Sequence, residues 1–152
     1  MKLECGIEKI KNAISQVERI TGKNLTLPVL SSILLIASGK SLKLRAMNLS
    51  LGIEVEIPAK IEKEGILAIS GQVLASTFSN IIQNENIYLE DIDGNLLIKT
   101  KKSKIKLKGQ PYEDFPTIPS VTGENFEIEI KKITEGIKSV YYSASPSSIK
   151  AE

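Results

Sequence analysis

The stretch Ile20-Thr21-Gly22-Lys23-Asn24-Leu25-Thr26-Leu27-Pro28-Val29-Leu30-Ser31-Ser32-Ile33-Leu34-Leu35 decides how the chain is read. A helical pattern ends at Gly22, and a short polar turn carrying Lys23 and Asn24 follows. Pro28 cannot continue a helix, and its ring biases Leu27 toward extended geometry. The apolar run from Val29 to Ile36 then reads as a buried strand. An amphipathic helix is thus joined to a core strand through a basic, solvated corner.

Upstream, Met1 to Cys5 alternates apolar and polar residues as a short strand does. Ile7, Ile10, Ala13, Ile14, Val17 and Ile20 recur at three- and four-residue steps, one stripe of an α-helix that Gly22 is placed to stop. Downstream, Ser38-Gly39-Lys40 is a turn, and Leu42, Leu44 and Ala46 alternate with Lys43 and Arg45 in a half-buried strand. Asn48-Leu49-Ser50 breaks the pattern. Leu51, Ile53, Val55 and Ile57 form a further strand ending at Pro58, and Lys60 to Glu64 leads to Ile66-Leu67-Ala68-Ile69. Ser70 is placed to cap a second helix whose stripe is Val73, Leu74, Thr77, Phe78, Ile81 and Ile82, closed by Asn84-Glu85-Asn86. Three strands follow, Ile87 to Asp91, Leu96 to Thr100 and Lys104 to Lys108, with Asp93-Gly94-Asn95 as a hairpin turn between the first two. Eight strands and two helices therefore precede the linker from Gly109 to Glu124, which holds Pro111, Pro116, Pro119 and Gly123. A domain boundary is expected near Thr122. Beyond it, Phe126, Ile128 and Ile130 read as a strand, and Ile133, Ile137, Val140 and Tyr141 as a helical stripe. This order echoes residues 1–35 and points to a repeated domain.

The 152 residues carry a net charge of +2, too little for a strong overall field toward nucleic acid or membrane. Trp is absent and aromatics are few, which disfavours base stacking. No apolar run reaches bilayer length, and Met1-Lys2-Leu3-Glu4 does not open a signal peptide. The single Cys5 excludes an internal disulfide and fits a reducing cytoplasm. His is absent, which removes the commonest general base and the commonest transition-metal ligand together. No phosphate loop, metal-ligand spacing or nucleophile–base pair appears. Asp91-Ile92-Asp93-Gly94-Asn95 is better explained by turn chemistry than by calcium, because the distal Glu of a calcium loop is missing.

The most visible charge feature is Lys99, Lys101, Lys102, Lys104, Lys106 and Lys108. On the last strand Lys104, Lys106 and Lys108 share one face. They read either as a patch toward phosphate or, more plainly, as a solvated face that guards a sheet edge against stray pairing. Lys9, Lys11, Arg19 and Lys23 lie on the outer side of the first helix and its exit turn, diluted by Glu8 and Glu18.

Thr26-Leu27-Pro28-Val29-Leu30, Met1-Lys2-Leu3, Ala46-Met47-Asn48-Leu49-Ser50-Leu51-Gly52-Ile53 and Asp114-Phe115-Pro116 together resemble the bacterial DNA polymerase III beta subunit, the sliding-clamp family. The resemblance runs in register over the whole chain. It implies an α+β clamp domain, two helices packed on curved antiparallel sheets of about eight strands, complete over 1–122, with 123–152 opening a second such domain. It implies a non-catalytic processivity factor without cofactors, cytoplasmic and at the bacterial replisome on the nucleoid. Two subunits of three domains each would close head-to-tail around duplex DNA, hold it without reading sequence, and tether DNA polymerase III after placement by a clamp loader. DNA-facing positions carried over are Lys23, Asn24, Gln72, Ser147 and Lys150, joined by Lys9, Lys11 and Arg19. Asn24 and Gln72 stand where family members often have Arg. The ring joint would use Leu74, Phe78 and Ile105, and the helix from Ile133 to Tyr141 would need another surface to cover it. The rival reading is a stand-alone module that binds nucleic acid or an acidic protein through the Lys99–Lys108 hairpin.

Overall fold

The computed structural model describes residues 1–22, 27–48, 50–81, 86–118, 122–124 and 126–144. Two compact units divide it, Met1–Ile118 and Pro119–Glu152.

In the first unit the order is β1 (Lys2–Gly6), α1 (Ile7–Glu18), β2 (Ser32–Ser38), β3 (Ser41–Met47), β4 (Gly52–Lys63), β5 (Gly65–Ser70), α2 (Gly71–Ser79), β6 (Asn86–Ile92), β7 (Asn95–Lys99) and β8 (Lys104–Gln110). The strands close in the spatial order β1-β4-β3-β2-β5-β8-β7-β6, and every pairing is antiparallel. Two strands turn the corners. β4 pairs with β3 as far as Ser41↔Pro58 and with β1 from Cys5↔Ala59 onward. β8 pairs with β7 from Lys104 to Lys108 and with β5 only through Gly109 and Gln110.

The alternation seen in the sequence is the alternation of burial. Leu42, Leu44 and Ala46 on β3, Ile87 and Leu89 on β6, and Leu96 and Ile98 on β7 point into one continuous core. Ile7, Ile10, Ala13, Ile14 and Val17 of α1 and Leu74 and Phe78 of α2 enter the same core. Full burial of an aliphatic side chain of this size contributes about 1.5–3 kcal/mol, so the helices are held chiefly by these stripes. Between β6 and β7, Asp93 (φ 53°) and Gly94 (φ 73°) form the two-residue left-handed turn expected of Asp-Gly.

Several local expectations are corrected. Val29 to Ser31 are not strand: Pro28–Ser31 is a 3₁₀ turn, and β2 starts at Ser32. Proline's fixed φ suits the first position of a helical turn, and the Ser31 hydroxyl donates to the Pro28 carbonyl at 2.7 Å. α1 stops at Glu18 rather than at Gly22. The Thr21 hydroxyl and amide both donate to the Glu18 carbonyl, at 2.7 and 3.0 Å, closing the helix with a tighter turn. β4 does not end at Pro58 but continues to Lys63, because Pro58 falls where the strand changes neighbours and a missing N–H costs no ladder bond. Val73 of α2 is 46% exposed and outside the buried stripe, while Ile81 is buried just past the helix. Ile82 lies outside the described residues, as do Asn84 and Glu85.

In the second unit, residues 126–129 form no strand, and Ile130 opens helix α3 (Ile130–Val140), followed by a 3₁₀ turn Tyr141–Ser143. A strand is held by its ladder, and among the described residues of this unit no strand lies alongside. Ile130, Ile133, Ile137, Val140 and Tyr141 of the helical stripe are all exposed.

Candidate nucleic-acid interface

α1 and α2 pack side by side, and their inward stripes leave one polar outer face. The close approach has a local cause. Gly71, the first residue of α2, faces Thr21 just after α1, where a Cβ would lie 2.7 Å from Thr21 Cγ2. A small groove of about 310 Å³ runs between the helices, with Lys11, Ser15 and Glu18 on one wall and Ala75 and Ser79 on the other.

The outer face of α1 presents Glu8, Lys9, Asn12, Ser15, Gln16 and Arg19, and that of α2 presents Gln72, Val73, Ser76 and Ser79. α2 contains no charged residue. The combined face is polar and only weakly basic, suited to loose, sequence-blind contact with phosphate rather than to tight docking.

The expected DNA-facing residues fare unequally. Lys9, Arg19 and Gln72 are exposed on this helical face. Lys11 is half-buried, and its Nζ donates to the Ile81 carbonyl at 2.5 Å, just beyond α2. It thus ties the two helices together and offers its charge to the negative end of α2. Lys23, Asn24, Ser147 and Lys150 lie outside the described residues.

For the joint residues, burial forces a correction. Leu74 is 0% exposed and Phe78 1%, so both fill the core and neither can meet a partner. The resemblance points to this part of α2, but these two side chains lie on its inward-facing stripe. Ile105 is half-buried on β8, beside Lys104 and Lys106, which are exposed.

β8 has an unusual edge. β7 covers one side of Lys104–Lys108, while β5 reaches only Gly109 and Gln110 on the other. Among the described residues no strand pairs the remaining edge, so its N–H and C=O groups are available to another strand. The six-lysine cluster of the sequence is thinner in space. Lys99 Nζ lies 2.6 Å from a Glu90 carboxylate oxygen, and this hydrogen bond holds the Glu90 carboxyl below the usual range. Lys104, Lys106 and Lys108 are exposed and make no ion pair among the described residues. Alternation identified the lysines, but the open edge they border depends on which strand neighbours β8, a long-range fact.

Among the described residues no acid–base pair occupies the outer helical face. An electrostatic cluster lies instead on β3 and β4, where Arg45 and Lys43 both reach Glu54. The hydrogen bond from Arg45 is the main cause of the lowered Glu54 pKa, with Lys43 adding to it. Burial pushes the Cys5 thiol up to about 12, with the Glu4 charge assisting, so it is inert rather than nucleophilic. Among the described residues no group of three or more His, Cys, Asp or Glu is placed to hold a metal.

Residues 1–119 match the family described as DNA polymerase III beta subunit, N-terminal domain. The beta sliding clamp of Synechococcus elongatus is 26% identical over 148 residues, covering 95% of this chain and 40% of that protein. The beta sliding clamp of Synechocystis is also 26% identical, over 159 residues, covering 99% of this chain and 41% of its own length. Among solved structures, Caulobacter crescentus pol III beta superposes with a TM-score of 0.90 over 97% of this chain and 40% of its own, at 24% identity, which speaks for the fold. The Helicobacter pylori beta clamp bound to a DNA ligase peptide matches at 25% identity and a TM-score of 0.85, over 99% of this chain and 42% of that one. The chain thus spans about two fifths of the length of these relatives. By its sequence and by the architecture of its first unit, the chain belongs to the DNA polymerase III beta subunit family, of which residues 1–119 are the N-terminal domain.

Proposed function

We propose that this chain is the N-terminal part of a sliding clamp, a non-catalytic processivity factor that encloses duplex DNA and tethers a replicative polymerase in the bacterial cytoplasm. The observation that carries the reading is the family match over residues 1–119. The weakly basic helical face supports it, because a ring must hold duplex without gripping it. Sequence-blind contacts through Lys9, Arg19 and Gln72, joined by Lys23, Asn24, Ser147 and Lys150, serve that need. The open edge of β8 around Ile105 supports a head-to-tail joint in which a strand of a second subunit extends the sheet. The exposed apolar stripe of α3 fits the inward face of a second clamp domain, with the division of the chain at about residue 122. The H. pylori clamp binds a DNA ligase peptide; for this protein, partner peptides and a clamp loader belong to the same reading.

The rival is a stand-alone binder using the Lys104, Lys106 and Lys108 face. Fluorescence anisotropy with a short linear duplex separates them. Enclosure predicts negligible binding at physiological salt, because a short linear duplex offers nothing to encircle. A direct binder would show affinity that falls steeply with salt, with the log–log slope reduced by about 1 for each of these lysines changed to Gln.

A further inference from the structure

We propose that the cleft at the corner where β4 passes from β3 to β1 is a binding site for one phosphate group, held by Lys9, Lys40 and Lys60. At that corner the β1 ladder ends near Gly6 and the β3 ladder begins at Ser41, so the backbone draws apart and leaves a cleft of about 770 Å³. Three separate elements bring a lysine to its wall: Lys9 from the first turn of α1, Lys40 from the β2–β3 turn and Lys60 from β4.

The lining of this cleft carries more positive than negative charge. Three lysines line it against one carboxylate, Glu4, which accepts the Asn86 amide at 2.9 Å and keeps its charge. Nearby Glu64 is engaged by the Gly39 N–H at 2.7 Å. Lys9, Lys40 and Lys60 are exposed and their amino groups have no partner among the described residues. On the neighbouring strands Lys2 is matched with Glu62 at 2.7 Å, Lys43 with Glu54 at 3.2 Å and Lys99 with Glu90 at 2.6 Å; the unpaired Lys104, Lys106 and Lys108 share one strand face, whereas Lys9, Lys40 and Lys60 come to one cleft from three elements. Three lysines on the wall of one cleft suit a compact multivalent anion, and lysine serves phosphate as a point charge. No aromatic residue lines the cleft, so a base has no stacking platform and the contact reads only the phosphate. The open side leaves room for a phosphodiester to run through. As a contact to the DNA backbone the site rests on the proposed clamp role; as a site for the phosphate group it stands without it.

The test is a titration of the isotope-labelled 152-residue chain, followed by amide spectra at constant ionic strength. One arm uses inorganic phosphate, the other a short duplex DNA. Saturable shifts at Gly6, Gly39 and Lys60 with phosphate are expected. They should be lost in the Lys9→Gln/Lys40→Gln/Lys60→Gln variant, with the rest of its spectrum unchanged. Lys40→Gln alone, in a surface turn, should weaken the site roughly tenfold and serves if the triple variant does not fold. Shifts that never saturate, or that persist in the variants, would overturn the proposal. Saturable phosphate shifts support the site whether or not the short duplex moves the same amides, and matching DNA shifts would extend it to the DNA backbone. Failure with phosphate leaves enclosure of DNA untouched, and failure of enclosure leaves the phosphate arm standing.

Discussion

Replacing Gly109 with alanine should be among the most damaging single-methyl additions in the barrel. A Cβ there would lie 1.8 Å from the Gly94 carbonyl oxygen, 3.0 Å from its carbonyl carbon and 3.2 Å from Leu67 Cδ1. Comfortable contact needs about 3.5 Å, so the turn or the strand must retreat by about 1.7 Å. Neither yields easily. Gly94 is the second residue of the tight β6–β7 turn, which the Asp91 carboxylate holds by accepting the Gly94 N–H at 2.9 Å. Gly109 pairs with Ile69, and with Gln110 it makes the whole of the β5–β8 seam. Overpacking costs about 1–3 kcal/mol, and each hydrogen bond lost from the seam adds about 1 kcal/mol. A loss of roughly 3 kcal/mol follows, which at a urea dependence of about 1.5 kcal/mol/M moves the midpoint by about 2 M. The control is Gly39→Ala. Gly39 has a left-handed φ of 58° but open space around it, so it bears only the backbone cost of about 1–2 kcal/mol. If Gly109→Ala shifts the urea midpoint no more than Gly39→Ala, the steric closure of the barrel at this seam is refuted.

Lys11→Met keeps the aliphatic stem but leaves the Ile81 carbonyl without its donor, and should cost about 1 kcal/mol in urea unfolding, whereas Lys9→Gln on the same helix should be silent. The Glu54 pKa is depressed in the fold, chiefly by the hydrogen bond from Arg45, so its stabilisation is full above the ordinary value of 4.5 and disappears as pH falls through the lower folded value. Melting temperatures taken from pH 6 downward should therefore drop less in Arg45→Met than in the unmodified chain; equal slopes would remove this pair from the acid response. Cys5, raised to about 12 by burial, should resist a thiol reagent at pH 8 in the folded chain and react fully in denaturant. Rapid labelling without unfolding would contradict its place in the core.

What was legible from residues alone divides along a physical line. Period-2 and period-3.6 patterns locate the eight strands and two α-helices seen among the described residues of the first unit, because burial of alternate side chains and of one helical stripe is a local consequence of composition. Boundaries failed where non-local partners decide. Pro58 reads as a terminator until it is seen to lie where β4 changes neighbours. Val29 and Leu30 read as strand because an apolar run does not distinguish a strand from a 3₁₀ turn. Phe126, Ile128 and Ile130 alternate like a strand, yet alternation supplies no neighbour to pair with. The same limit applies to function. The resemblance points to a joint at Leu74 and Phe78, but both lie on the apolar stripe of α2, and such a stripe is first a claim on the core. Lys11 reads as a free surface charge until the packing of α2 brings the Ile81 carbonyl to it. Lys9, Lys40 and Lys60 are scattered in sequence, and only the corner of the barrel gathers them.

Enclosure is tested most directly by topology. On the proposed clamp reading, the protein loaded onto nicked circular DNA by a clamp loader should stay bound through gel filtration at a salt concentration that removes charge-held binders. Cutting the same circles once should release it, because a ring slides off a free end. Retention on the cut DNA equal to that on circles would contradict enclosure and leave direct binding as the account of this protein.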